Sequence, residues 1–234
     1  MKKFRSNASR ADWAKRVSLL YIFFSVIGIG FNVFKLNFLF KIKRGEDFYQ
    51  MDAELIDHFD QLFGITLIGL YIAFMILFIM WYRRAYFNLH QKFNYLQLSE
   101  GWAAGAWFVP ILNLFRPYVI MKEMIEESGN YLKKTGVIVP TQANKIIAPW
   151  WTFFLLAMIL GRILWKMQAE DIDKLIHMTE LLIVSFGVDI LAYFFTWRLI
   201  NYYAQREKLM EIAEKELEIV NHTSSSPENE MLTI

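Results

Sequence analysis

The chain has 234 residues, of which 56% are hydrophobic and 17% aromatic, and its formal net charge is +2. Apolar content this high, with a positive mean hydropathy, indicates an integral membrane protein rather than a soluble domain, and the scattered Lys and Arg exclude a nucleic-acid-binding surface. Cysteine is absent, which excludes disulfides, thiolate metal sites, iron–sulfur clusters and cysteine nucleophiles.

Residues 1–16 hold six basic residues, Lys2, Lys3, Arg5, Arg10, Lys15 and Arg16, against Asp12. A basic segment before an uncharged apolar run, without a small-residue cleavage site, reads as a retained signal anchor with its N-terminus in the cytoplasm. The first predicted span covers about 17–38. An acidic loop follows, with Glu46, Asp47, Asp52, Glu54, Asp57 and Asp60. The second span, about 62–82, ends in Trp81-Tyr82-Arg83-Arg84, aromatic and then basic, as expected where a helix meets the cytoplasmic interface. Helical spacing of Tyr86, Leu89 and Phe93 predicts that the helix continues to about Tyr95.

Residues 98–134 fit neither a loop nor an ordinary span. The stretch is apolar from Trp102 to Met121, yet Pro110 and Pro117 each remove a backbone donor and Asn113 and Arg116 add polar groups. Such a segment survives at membrane depth only where protein or water satisfies the freed backbone. The pattern predicts a short helix capped by Ser99, a break at Pro110, and a second, amphipathic helix opened by Arg116-Pro117 and stopped at Gly129. A re-entrant or interfacial segment over 99–128 follows, with a fifth full span as the alternative.

The third and fourth spans are predicted at about 146–165 and 181–199. The third is entered through Pro149, Trp150 and Trp151 and carries Arg162 near its far end; the fourth carries Asp189 near its middle and leaves through Trp197 and Arg198. Between them lies a second acidic loop, with Glu170, Asp171, Asp173 and Glu180. The whole membrane domain is thus placed at 17–203, followed by a cytoplasmic helix at 204–220, striped by Leu199, Tyr203, Met210, Ala213, Leu217 and Val220. A disordered tail is expected at 221–234. Lys plus Arg number 6, 8 and 4 in segments 1–16, 83–145 and 198–234 but 4 and 3 in segments 35–61 and 162–180. The bias sets both termini in the cytoplasm with four spans. Gly30-Phe31-Asn32-Val33-Phe34-Lys35 and Gly161-Arg162-Ile163-Leu164-Trp165-Lys166 each precede an acidic loop and a span ending in Trp then Arg, a weak internal duplication of two hairpins joined by the broken stretch.

Trp81 to Leu89, Ser99 to Phe108, and Trp107-Phe108-Val109-Pro110-Ile111-Leu112-Asn113-Leu114-Phe115-Arg116-Pro117-Tyr118 together resemble a bacterial membrane family catalogued as domain of unknown function 4328, over about residues 62–203. The chain departs from the family pattern at Arg83-Arg84-Ala85-Tyr86, where one basic residue would suffice. The resemblance implies a multi-span protein of a bacterial inner membrane with no established activity.

Asp189 is the sharpest single residue, because an ionisable group in mid-span is costly. Its expected partner is Arg162, at a backbone depth within ~6 Å. Asn113 and Arg116 either cap the freed backbone or line a polar cleft for a lipid headgroup or ion. Trp81, Arg83, Arg84, Trp150, Trp151, Trp197 and Arg198 are expected to anchor helix ends at the interface. There is no Gly-rich phosphate loop and no H-E-x-x-H or G-x-S-x-G motif, and the four His lack metal-ligand spacing. No catalytic residue, metal or cofactor is therefore assigned. The partners expected are the bilayer and a second copy or membrane partner, with a small transporter or channel running past Asp189 and the Asn113 break as the alternative.

Overall fold

The computed structural model describes residues 4–140 and 143–224, and every regular element among them is helical. The helices are α1 (Ala8–Lys43), α2 (Gln50–His90), α3 (Trp102–Gly105), α4 (Arg116–Lys134), α5 (Ala143–Lys166) and α6 (Ile172–Ser224), with a 3-10 turn at Leu112–Leu114. Four of them, α1, α2, α5 and α6, are long and apolar enough to cross a membrane.

Helices outrun the predicted spans in both directions. Most of the first acidic loop is the opening of α2, and the fourth span and the charged helix after it are one 53-residue element. Hydropathy marks only the apolar part of a helix, whereas backbone hydrogen bonding continues through charged turns. α6 also takes in residues 221–224 of the expected tail; residues 225–234 lie outside the described residues. At α4 the predicted stop moves. Gly129 is buried inside the helix, and the chain turns instead at Gly136, where φ is 83°. Val137 N–H donates to Leu132 O at 2.9 Å and Gly136 N–H to Lys133 O at 3.2 Å, a Schellman closure that needs the left-handed conformation glycine supplies. Gly45, with φ 73°, ends α1 likewise.

The chain forms two compact units. Ser9–Trp81 and Lys145–Ile200 make the span unit; Met1–Ala8, Tyr82–Asn144 and Asn201–Ile234 make the second, here called the motif unit.

Within the span unit, the buried face of α1 reads Ala11, Ala14, Ser18, Tyr21, Ser25, Gly28, Asn32, Lys35, Leu39. The steps alternate three and four residues, a strict heptad, but the residues are small or polar where a soluble seam would carry leucine. That is the pattern of a helix whose neighbours are protein on this face and lipid on the others. Three of the polar members donate to their own helix: Ser18 Oγ to Ala14 O at 2.8 Å, Ser25 Oγ to Tyr21 O at 2.9 Å, and Asn32 Nδ2 to Gly28 O at 2.8 Å. Rings lock the other contacts. Tyr21 stacks on Tyr193 at 4.0 Å and Phe153 on Phe195 at 5.3 Å, and Phe31 lies tilted against Phe59 at 4.1 Å. α1 therefore touches α2 and α6, and α5 touches α6.

A Cβ built on Gly28 would lie 2.8 Å from Phe186 Cζ, while one on Gly30 meets nothing within 4 Å. We expect Gly28→Leu to lower the melting temperature in detergent sharply, since overpacking costs about 1–3 kcal/mol, and Gly30→Ala to leave it unchanged. Equal effects at the two glycines would show that α1 and α6 do not meet at Gly28.

Candidate functional site

The residues of the sequence motif gather in the motif unit. Its frame is the last part of α2, the irregular segment 91–115, α4, and the part of α6 after Ile200. Pro110 prevents α3 from continuing, so only four residues are helical before the chain breaks into turns, and α4 starts with Pro117 in its first turn. Tyr82 fixes the end of the break: its hydroxyl donates to Pro117 O at 2.6 Å, and its ring packs edge-on to Trp107 at 5.9 Å. The Arg116 guanidinium lies 3.7 Å from the Trp102 ring centroid, a cation–π contact worth about 0.5–2 kcal/mol. Arg116 Nη1 and Asn113 Oδ1 are covered without a hydrogen-bond partner in the structure, so Asn113 does not cap the break through that oxygen.

A second knot holds the entry to the break. Glu123, buried on α4, accepts the Tyr86 hydroxyl on Oε2 at 2.7 Å and the Gln97 N–H on Oε1 at 2.7 Å. Leu98 O takes His90 Nε2 at 3.0 Å, which requires that nitrogen to carry the proton, since a carbonyl only accepts. Burial, and then the Glu123 carboxylate, push the Tyr86 hydroxyl above its ordinary range, so it remains a donor throughout the physiological range. We expect Glu123→Ala to cost about 1–2 kcal/mol, because it strands the Gln97 backbone N–H, while the Tyr86 hydroxyl keeps Leu98 O as an acceptor at 2.9 Å. Glu127→Ala, which removes exposed bonds from Tyr95 and Asn130, should be near neutral by thermal denaturation.

Asn88, the third motif residue on α2, reads main chain. Its Oδ1 accepts Arg5 N–H at 3.1 Å and its Nδ2 donates to Arg5 O at 2.9 Å and to Glu207 Oε1 at 3.0 Å. Arg206, also buried, donates to Ile125 O, Ser128 Oγ, Pro140 O and the Tyr202 hydroxyl. Lys92 pairs with Glu214. The sequence pointed to Tyr86 and Asn88 only through the resemblance, and it missed Glu123, Arg206, Glu207 and Glu214. A signal for the last three existed, since Arg206, Glu207 and Glu214 interrupt the apolar stripe of Tyr203, Met210 and Ala213.

The break leaves apolar groups uncovered. Phe108 is 76% and Ile111 72% exposed, and Val109, Leu114 and Phe115 are exposed beside them. α4 does the opposite: Ile120, Met121, Met124 and Ile125 are packed inside the motif unit. The amphipathic face expected to lie along lipid is therefore covered by protein, and Tyr118 is only part-covered.

The other predicted site residues are placed as follows. No ion pair joins Arg162 to Asp189: Arg162 is exposed, while Asp189 on α6 lies within electrostatic reach of Tyr21, Tyr71 and Tyr193. Equal depth along two helices does not fix which faces they turn to each other. In the span unit Lys35, buried on α1, pairs instead with part-exposed Asp60 on α2. Trp81, Trp150 and Trp151 are buried rather than at an exposed interface, with Phe78 between Trp81 and Trp150 at ring distances of 5.5 and 6.3 Å. Trp197 is part-covered; Arg83 and Arg198 are exposed, and Arg84 lies over the Phe87 ring at 5.5 Å. Among the described residues no group of three or more His, Cys, Asp or Glu could hold a metal ion.

No curated protein and no solved structure matches the chain. The model of one family, described as a domain of unknown function (DUF4328), matches residues 44–205, the stretch holding Tyr82, Tyr86, Asn88 and the whole of the break, and this multi-pass membrane protein belongs to that family.

Proposed function

We propose that the chain is a non-catalytic module of a bacterial cytoplasmic membrane, with both termini in the cytoplasm, in which the segment 99–128 enters the inner leaflet and there engages a second copy or a membrane partner. The observation that carries the reading is the set of uncovered apolar side chains from Phe108 to Phe115, in turns and a short 3-10 segment between α3 and α4. Tyr82, Trp107 and Arg116 hold this loop in place, so the exposure belongs to a built surface. An exposed apolar patch of this kind is covered in use by lipid or by another protein. Irregular backbone is tolerated at lipid depth only beside protein, which favours a neighbour at the break.

The absence of cysteine makes the test direct. With Phe108→Cys or Ile111→Cys, an intermolecular disulfide in native membranes and an oligomer in mild detergent are the expected results. A monomer in detergent with no cross-link to any protein counts against the module reading. Position 126 is exposed whereas Ser128 is buried, so Glu126→Cys is the better topology probe: labelling from outside intact cells by an impermeant maleimide would reverse the orientation.

One observation favours a transporter or channel as a second reading. Asp189, in a predicted span, faces phenols and no cation, as a proton-carrying carboxyl would. Ion or proton flux in liposomes that Asp189→Asn abolishes without loss of folded protein supports this reading; no flux under several gradients removes it.

A further inference from the structure

The cations inside the motif unit differ in what answers them. Lys92 pairs with Glu214, and Arg206 donates to carbonyls and hydroxyls. Arg116 has no such acceptor. Its guanidinium lies 3.7 Å from the Trp102 ring centroid, a stacked contact that fixes the group through its face and leaves its N–H edge for other partners. Nη1 is covered and meets no acceptor, and among the described residues neither Glu100, earlier in the segment, nor any other carboxylate forms an ion pair with Arg116. The first turn of α4 holds no acidic residue, and Phe115 gives it no side-chain cap. The positive end of the helix therefore adds to the guanidinium instead of offsetting it. Leu114 and Phe115 stand directly before Arg116, and with Phe108, Val109 and Ile111 they make up the uncovered apolar group of the break.

We propose that the break binds an anionic phospholipid, with the headgroup phosphate on the Nε–Nη2 edge of Arg116 and the acyl chains against Phe108, Ile111 and Phe115. This rests on the reading that segment 99–128 enters the inner leaflet, and it names the ligand met there. With Nη1 covered, Nε and Nη2 form the side of the guanidinium whose two N–H groups lie parallel, so two phosphate oxygens can take them together. Trp102 holds that fork in place before the lipid arrives, and an indole suits headgroup depth. In water the open N–H groups are hydrated; at the leaflet surface the acceptors on offer are phosphates.

The chemistry of the ligand follows from what the site lacks and what it exposes. No carboxylate offsets the guanidinium, so the ligand has to bring a net negative charge. Phosphatidylglycerol does; phosphatidylcholine, whose ammonium offsets its own phosphate, does not. A soluble phosphate carries the charge but leaves the apolar side chains uncovered. Loose attraction to anionic lipid acts at every exposed Lys and Arg near the surface, whereas this site depends on one side chain.

Native mass spectrometry of the full chain in a neutral detergent, titrated with phosphatidylglycerol or phosphatidylcholine, measures the first lipid bound. The parent should bind phosphatidylglycerol about tenfold more tightly and Arg116→Gln should lose that preference, as expected for one charge-assisted fork. Arg116→Lys, which keeps the charge without the fork, should fall between them. Lys134→Gln removes the same charge from an exposed position in the last turn of α4, about 27 Å along the axis, and should bind as the parent does. Equal binding of the two lipids by the parent overturns the proposal whatever the variants do, and so does an equal loss in Arg116→Gln and Lys134→Gln. Displacement of the lipid by millimolar inorganic phosphate overturns the assignment to lipid. An oligomer that binds both lipids equally removes this site and leaves the module reading standing; a monomer that selects phosphatidylglycerol through Arg116 does the opposite.

Discussion

Arg206→Met is expected to be the most damaging single change in the motif unit, lowering its stability by about 3 kcal/mol and the melting temperature in detergent by about 10 °C. Arg206 is 3% exposed. Its Nη1 reaches Ile125 O at 2.8 Å and Ser128 Oγ at 3.3 Å, and its Nη2 reaches Pro140 O at 2.7 Å and the Tyr202 hydroxyl at 2.6 Å. One guanidinium therefore ties α4, the connection before α5, and α6 together, with its charge solvated by carbonyls and hydroxyls. Methionine fills the volume of the stem but leaves those acceptors short of a donor, and each charged hydrogen bond lost in a dry setting costs about 1.5–3 kcal/mol before relaxation. Lysine keeps the charge without the planar fork, so Arg206→Lys should recover less than half of the loss. Protease cleavage between Gly136 and Pro140 should rise in step. A melting curve for Arg206→Met within a degree of the parent would mean that this staple carries no load.

Glu214→Ala is expected to cost about as much, roughly 3 kcal/mol. The Lys92 and Glu214 side chains are 0% and 8% exposed, so removing the carboxylate leaves an ammonium in a dry site. Breaking a buried pair from one side is far costlier than replacing both partners with apolar groups. The double variant Lys92→Met, Glu214→Met should therefore be more stable than Glu214→Ala alone, and by melting temperature it should approach the parent. If the double variant is as unstable as the single one, the pair is held by something other than mutual charge compensation.

The two predictions fall on residues that the sequence reads as one charged helix beyond the last span, which shows where legibility stopped. Periodicity identified the stripe of Tyr203, Met210 and Ala213, but Arg206 and Glu214 on or beside that stripe looked like solvated charges because their partners are far away in sequence. Pro140, Ser128 and Lys92 are brought to them only by the fold. The same holds for Asn88, whose main-chain partner Arg5 is 83 residues away. Arg162 and Asp189 show the converse failure: a charge pair inferred from depth is refused by helix rotation, while Lys35 and Asp60 pair instead.

By itself, the sequence determined the class of the protein, its four long apolar helices and the position of the break. Those follow from local chemistry: runs of apolar residues long enough to cross a bilayer, charges that end them, and prolines that withhold a backbone donor. Only the tertiary structure decided which face of each helix is covered. It turned the small and polar stripe of α1 inward, folded the apolar face of α4 into protein, left Phe108 and Ile111 uncovered, and gathered the motif around Tyr82, Tyr86 and Asn88. A face is chosen by the fit of neighbouring helices and by where buried polar groups can find partners, and neither is written in the spacing of one segment.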